Sequence, residues 1–155
     1  MNVAATVLAM TLAASSADRV PAPRRASDPR TVEARAAATT LLRHLYAVHL
    51  SLRGCADAAR RHGKPEFLPA VGLEEARRAM TVADEASRTV GLDVDGIWSE
   101  VAPMATVTAE SLKADTPENV QNCALIGSVF RIDLANLQNA LRALGSTRTL
   151  IEKDF

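Results

Sequence analysis

The sequence has few aromatic residues and no excess of either charge, and both shortages exclude classes of function. Its 155 residues include one Trp, one Tyr and three Phe, too few for the stacking platforms that bind single-stranded nucleic acid. The formal net charge is +0 at pH 7, so the chain lacks the basic surface on which nucleic-acid affinity depends. We therefore expect no nucleic-acid partner.

Motifs for metals, haem and phosphate are also missing. No Glu is followed by a His three positions later, as a di-iron bundle requires, and the two cysteines are too far apart for a haem-attachment motif. His44 and His49 lie about 140° apart around a helix and cannot hold one ion together. Asp93 and Asp95 resemble the start of a calcium loop, but Met104 stands where its bidentate Glu would be. The sequence assigns no catalytic, cofactor-binding or metal-binding residue.

The amino terminus carries an export signal. Residues 1–17 contain no charged side chain, no Pro and no Gly, and they end in the small residues Ser15, Ser16 and Ala17. We predict cleavage after Ala17, a flexible Pro- and Arg-rich linker over residues 18–30, and a periplasmic or secreted protein. The stretch is too short for a stable membrane span. The alternative is an amphipathic or buried helix of a cytoplasmic protein.

Four helices follow the linker. Alanine, the strongest helix former, accounts for 29 residues, and Asp or Thr followed by Pro, or Gly followed by Pro, mark helix ends. These patterns predict helices over 30–62, 73–90, 95–114 and from Thr116 to Gly145. Short connections favour an all-α, single-domain, antiparallel four-helix up-down bundle over residues 31–145. Residues 146–155 form a carboxyl-terminal tail, in which Leu150, Ile151 and Phe155 are candidates to dock on the core.

A disulfide is predicted between Cys55 and Cys123. Both lie on the apolar seams of their helices, at similar depths from the end of the bundle that they share. Gly54 and Gly127 would let the first and fourth helices approach to the Cα separation that a disulfide requires, about 5.5–6 Å. In an oxidising compartment we expect this bond to form.

The third helix is predicted to face inward through Ile97, Trp98, Val101, Met104, Thr108 and Leu112. Trp98, Met80, Met104 and Phe130 would then line a pocket between the helices. Tyr46 and Trp98 could also line a small pocket, although aromatic side chains at helical spacing usually fill the core.

Charge is unevenly distributed along the chain. Residues 18–65 carry ten basic and four acidic side chains, whereas residues 66–122 carry four basic and eleven acidic ones. The favoured interpretation is attraction between neighbouring helices. A basic partner or a cation site on the acidic segment is the alternative.

The chain resembles small exported all-helical bacterial proteins of unknown function. The resemblance spans roughly residues 40–140 and rests on Tyr46 through Cys55 to Arg60, the helix Glu74 to Ala79, the acidic turn before Ile97 and Trp98, and Cys123. It implies a location in the cell envelope or outside the cell.

Three functions stay open. The first is a non-enzymatic exported protein that binds a macromolecular partner in the envelope, and the second is a small-ligand carrier that uses the predicted pocket. The third is a hydrolase with a dispersed site, for which Glu100, Glu75 and His49 are the side chains to inspect. The heptad seams could close within one chain or between two, so they predict no oligomeric state.

Overall fold

Capping residues define the helix ends in the computed structural model, which describes residues 28–151. The helices are α1 (Pro29–His62), α2 (Leu73–Thr89), α3 (Val94–Ser111) and α4 (Pro117–Ala143), and a 3-10 helix, Pro65–Phe67, follows α1. Asp28, Asp93 and Thr116 each accept a backbone N–H of the first turn that follows. The domain is all-helical, as predicted. The predicted export signal and most of the predicted linker lie outside the described residues.

The third helix ends before the predicted position. The side-chain amide of Asn119, in the first turn of α4, donates to the carbonyl oxygens of Ser111 (3.0 Å) and Ala114 (2.9 Å). These bonds satisfy carbonyl groups that the last turn of a helix leaves without partners. The residue that caps the end of α3 therefore belongs to α4. The end of α3 could not be predicted from the sequence of α3 itself.

Helix α1 is the centre of the packing. It packs most extensively against α3 and α4. Contacts with α4 run in opposite directions along the two helices, whereas contacts with α3 run in the same direction. Four pairs illustrate this: His44 with Asp133, Cys55 with Cys123, Arg43 with Glu100, and Gly54 with Ala109. A closed up-down ring would place α3 beside α4. Within residues 28–151, no close backbone approach joins these two helices, and both pack on α1 instead.

Small residues bring α3 onto α1. A Cβ atom placed on Gly54 would lie 2.4 Å from the carbonyl oxygen of Ala109. Ala105 and Ala109 are buried, whereas Met104 is 72% exposed and Thr108 is exposed. The predicted inner face of α3 is therefore wrong at Met104 and Thr108, because the close approach to Gly54 selects alanine.

The Cys55–Cys123 disulfide is present, with a Cα–Cα separation of 5.6 Å. Both cysteines are fully buried in a cluster that also contains Phe67 and Leu112. The two glycines serve contacts other than the predicted α1–α4 approach. Gly54 faces α3, and a Cβ on Gly127 would lie 3.0 Å from the backbone nitrogen of Ala70 in the connection before α2.

A larger apolar cluster fills the other part of the molecule. Leu42 and Leu45 of α1 are fully buried against Phe130 and Leu134 of α4. Leu150 beyond α4 is also buried here, and its backbone N–H donates to Gln138 Oε1 at 2.7 Å.

Ion pairs link the helices at their edges. Arg43 of α1 lies 2.8 Å from Glu100 of α3, and Lys64 lies 2.7 Å from Asp115. Such exposed pairs contribute little free energy individually, but they join the basic first segment to the acidic one. No helix within residues 28–151 combines the length and the apolar character needed to cross a membrane.

Candidate functional site

A buried tyrosine and a half-buried aspartate form the centre of the candidate site. The hydroxyl of Tyr46 on α1 donates to Asp84 Oδ1 on α2 at 2.6 Å. Burial is the main cause that raises the pKa of Asp84 above its ordinary value. Burial, followed by the hydrogen bond to Asp84, also raises the pKa of the Tyr46 phenol. The Tyr46 phenol therefore stays protonated and donates to Asp84. The Asp84 carboxylate lies in an environment that solvates its charge poorly.

Trp98 of α3 packs against Tyr46. The two ring centroids are 5.2 Å apart and the ring planes meet at 75°, an edge-to-face arrangement. The indole is nevertheless 40% exposed. Trp98 thus contacts the core through one part of its ring system and leaves another part open to solvent.

These side chains line a cleft of about 310 Å³ between α1, α2 and α3, which we call the Tyr46 cleft. Its lining combines two aromatic rings, the apolar side chains of Met80 and Val94, and several ionisable groups. The lining residues are Tyr46, His49, Arg77, Met80, Thr81, Asp84, Arg88, Val94, Asp95 and Trp98. The volume lies at the lower end of the range for small-molecule sites. Helical spacing explains the lining, because Tyr46 and His49 are three residues apart on α1, and Met80, Asp84 and Arg88 follow at intervals of four on α2.

The surroundings of His49 in this cleft favour its neutral form. Burial lowers the pKa of its imidazole below 6.5, and the positive charge of Arg53 lowers it further. A neutral imidazole both donates and accepts a hydrogen bond, so His49 can bind a polar group of either kind.

The arginines of the cleft already have acidic partners. Arg88 donates to Asp95 at 2.8 Å, and Arg77 donates to Glu74 at 2.7 Å. Asp84 differs from these acids, because no lysine or arginine among residues 28–151 lies within 4.0 Å of its carboxylate.

The structure brings together two of the four residues predicted to line a pocket. Met80 and Trp98 both line the Tyr46 cleft. Met104 projects into solvent, and Phe130 is fully buried in the larger apolar cluster. Sequence reasoning did not assign Asp84, Arg88 or Asp95 to a pocket. Asp95 was considered as part of a calcium loop, and an acid four residues before an arginine on a helix, as in Asp84 and Arg88, is typical of an exposed pair. Met80 and Asp84 lie four residues apart and therefore on one face of α2. This spacing was the sequence signal from which Asp84 could have been identified as a neighbour of Met80.

Two of the side chains considered for a hydrolase have structural partners. Glu100 pairs with Arg43, and the Glu75 carboxylate accepts the backbone N–H of Gly72 at 3.3 Å. His49 alone of the three lines the cleft. No group of three or more His, Cys, Asp or Glu side chains suited to a metal ion occurs in the described part of the chain.

A second depression, which we call the α3/α4 groove, lies between α3 and α4, which do not pack against each other. It measures about 300 Å³ and is largely apolar, with Ser51, Thr108, Leu112, Asn122, Leu125, Ile126 and Val129 as its lining. Leu125 is 59% exposed.

Over residues 28–151, the chain is a disulfide-bonded, all-helical domain with a cleft of aromatic and ionisable side chains between α1, α2 and α3. Comparisons with protein-family models, with curated proteins and with solved structures each found no match to this chain.

Proposed function

We propose that this chain is an exported helical protein that binds a small molecule in the Tyr46 cleft. The cleft itself carries the proposal, because it combines a partly exposed indole, apolar side chains and a carboxylate that no lysine or arginine of residues 28–151 approaches within 4.0 Å. Small-molecule sites share this composition, in which a few polar groups orient a ligand inside an apolar enclosure. An antiparallel up-down course of the four helices belongs to the proposal, and the opposed α1–α4 contacts support it.

The disulfide supports export. Disulfides persist in oxidising compartments and are rare in the cytosol, so the Cys55–Cys123 bond is compatible with an extracellular location. The predicted signal over residues 1–17 is the second support, and cleavage after Ala17 is part of the proposal.

Ligand binding is tested by thermal shift across a metabolite library, with one variant that fills the cleft. Thr81 lines the cleft from an exposed position on α2, so T81F places a ring in the opening. We expect compounds that raise the melting temperature of the wild type to lose that effect in T81F. The matched control is T89F, at an exposed site on the same helix away from the cleft. Shifts that persist in T81F, or a library without any stabilising compound, would contradict the proposal.

The α3/α4 groove favours a second candidate, the predicted macromolecular partner. Apolar side chains flank a groove between two helices there, a shape that the amphipathic helix of a partner protein can occupy. A partner recovered from envelope extract by the wild type should be lost with L125E, which places a charge in the groove. Equal recovery by both proteins would oppose this candidate.

A further inference from the structure

We infer that the ligand of the Tyr46 cleft is a small organic cation, a protonated amine that carries an aromatic or apolar group. This inference rests on the proposed function of the cleft and names its ligand class. The amine would lie against the Asp84 carboxylate, and its apolar part would contact Trp98 and Met80.

The first support is the unpaired charge of Asp84. A half-buried carboxylate is costly unless a cation or several hydrogen-bond donors compensate it. Tyr46 supplies one donor to Oδ1. Arg88, on the same helix, forms its ion pair with Asp95, and its positive charge acts on Asp84 without an ion pair between them. A protonated amine in the cleft would place a positive charge and further N–H donors in direct contact with the Asp84 carboxylate.

The second support is the aromatic and thioether wall. A cation is attracted to the negative face of an indole, most strongly when water is excluded. Part of the Trp98 side chain is exposed to solvent, and the edge-to-face contact with Tyr46 holds the indole in place. The Met80 sulfur side chain adapts to ligands of different shape, which suits the apolar part of the ligand.

The third support is that the same residues favour a cation over other ligand classes. Among the described residues that line the cleft, Arg77 and Arg88 are the lysines or arginines, and they are paired with Glu74 and Asp95, so an anion would share each arginine with an acid that already pairs with it. A metal ion would find too few ligands, since the described residues contain no suitable group of three. A wholly neutral ligand would add no positive charge beside Asp84.

The ligand class is tested on the wild type by a charge series read through Trp98. Trp98 is the one tryptophan of the chain, so its fluorescence reports directly on the cleft. The probes are phenethylamine, 2-phenylethanol and phenylacetate, which share a phenyl ring and differ in the charge of the terminal group at pH 7. We expect phenethylamine to bind at least tenfold more tightly than the alcohol, and phenylacetate to bind most weakly.

Two variants assign the selectivity to Asp84. D84N keeps the shape of the side chain and removes its charge, and we expect it to weaken phenethylamine binding about tenfold and to leave the alcohol unchanged. E85Q makes the same charge change at the neighbouring exposed residue of α2 and should leave both affinities unchanged.

The outcomes separate the two proposals. If the alcohol or phenylacetate binds as tightly as phenethylamine, or if D84N binds the amine normally, the cation inference is overturned and the cleft stands as a site for other ligands. If none of the three probes changes Trp98 emission or the melting temperature at millimolar concentration, while library compounds still stabilise the wild type and not T81F, only the cation inference falls. If the library also yields no such compound, the proposed function falls with it.

Discussion

At the scale of single residues, burial decides the ionisation of the cleft. Tyr46, His49 and Asp84 all have pKa values shifted toward their neutral forms, and burial is the first cause in each case. Exposed acids such as Asp115 show the opposite behaviour, because the Lys64 ammonium stabilises the carboxylate and lowers its pKa. The cleft therefore differs from the rest of the described surface in solvation and not only in shape.

His49 makes folding stability depend on pH. Its pKa is about 6.5 in the unfolded chain and lower in the folded protein. Below pH 6.5 the unfolded chain binds a proton that the folded protein does not, so the free energy of unfolding falls until the pH passes below the folded pKa. Above pH 6.5 the imidazole is largely neutral in both states, and His49 no longer lowers the free energy of unfolding.

Urea denaturation of the wild type and H49Q at pH 7, 6 and 5 measures this dependence. We expect the stability of the wild type to decline relative to H49Q as the pH falls. A difference between the two proteins that stays constant across this range would show that His49 is equally accessible to protons in both states.

At the scale of helices, the α1–α3 contact depends on the absence of side chains. Gly54 lies under the backbone of Ala109, and Ala105 fills the next turn of α3. A heptad pattern identifies apolar positions but does not rank a buried alanine above a methionine. For this reason the presence of α3 is predicted correctly from the sequence, whereas the residues on its buried face are predicted wrongly at Met104 and Thr108.

The variant G54A tests the close approach. The new Cβ would lie 2.4 Å from a backbone oxygen that cannot rotate away, so α3 has to shift. Alanine gains about 1 kcal/mol over glycine in helix propensity, and overpacking costs about 1–3 kcal/mol. We expect a net loss of stability in urea denaturation. G127A, whose Cβ would meet backbone nitrogen at 3.0 Å, should lose less, and a stabilised G54A would contradict the close approach.

Much of the secondary structure follows from the sequence, and less of the candidate site does. Capping residues and prolines are local signals at the starts of α1, α3 and α4, and the start of every helix, α2 included, is predicted to within one residue. The cleft depends on which helices become neighbours in space. Tyr46 and Trp98 are identifiable as a pair of candidates because aromatic residues are rare here, whereas Asp84 acquires its character only when α2 brings it beside Tyr46.

At the scale of the whole molecule, the disulfide joins two distant parts of the chain. Cys55 and Cys123 are 68 positions apart, and the bond ties the carboxyl-terminal part of α1 to the amino-terminal part of α4. Depth along the helices and seam position, both readable from the sequence, were sufficient to predict it.

Removal of the disulfide should cost about 4 kcal/mol, because a closed loop of this length restricts the unfolded chain by that amount in the loop-entropy account. The comparison is urea denaturation of the oxidised wild type and of C55A/C123A, which leaves small apolar side chains in the buried cluster. Because total stabilities are about 5–15 kcal/mol, the variant should unfold at much lower urea. Similar midpoints would mean that the unfolded state is already compact without the bond.

Export is tested by the intact mass of the protein from the envelope fraction of its host, with thiols alkylated before and after reduction. We expect a chain that begins at Asp18 and accepts alkylation only after reduction. A mass that retains residues 1–17 together with two thiols that react in denaturant alone would contradict export.

The central position of α1 also determines the order in which backbone amide protons exchange with solvent. Every other helix of the described chain rests on α1, so its middle turns, with Leu45 and Leu52 fully buried, can open only when α3 and α4 are released together. Helix α2 makes fewer close approaches and can open by itself. In deuterated water the amides of α1 should therefore be the last to exchange and those of α2 among the first, which makes the α2 wall of the Tyr46 cleft its most easily opened side.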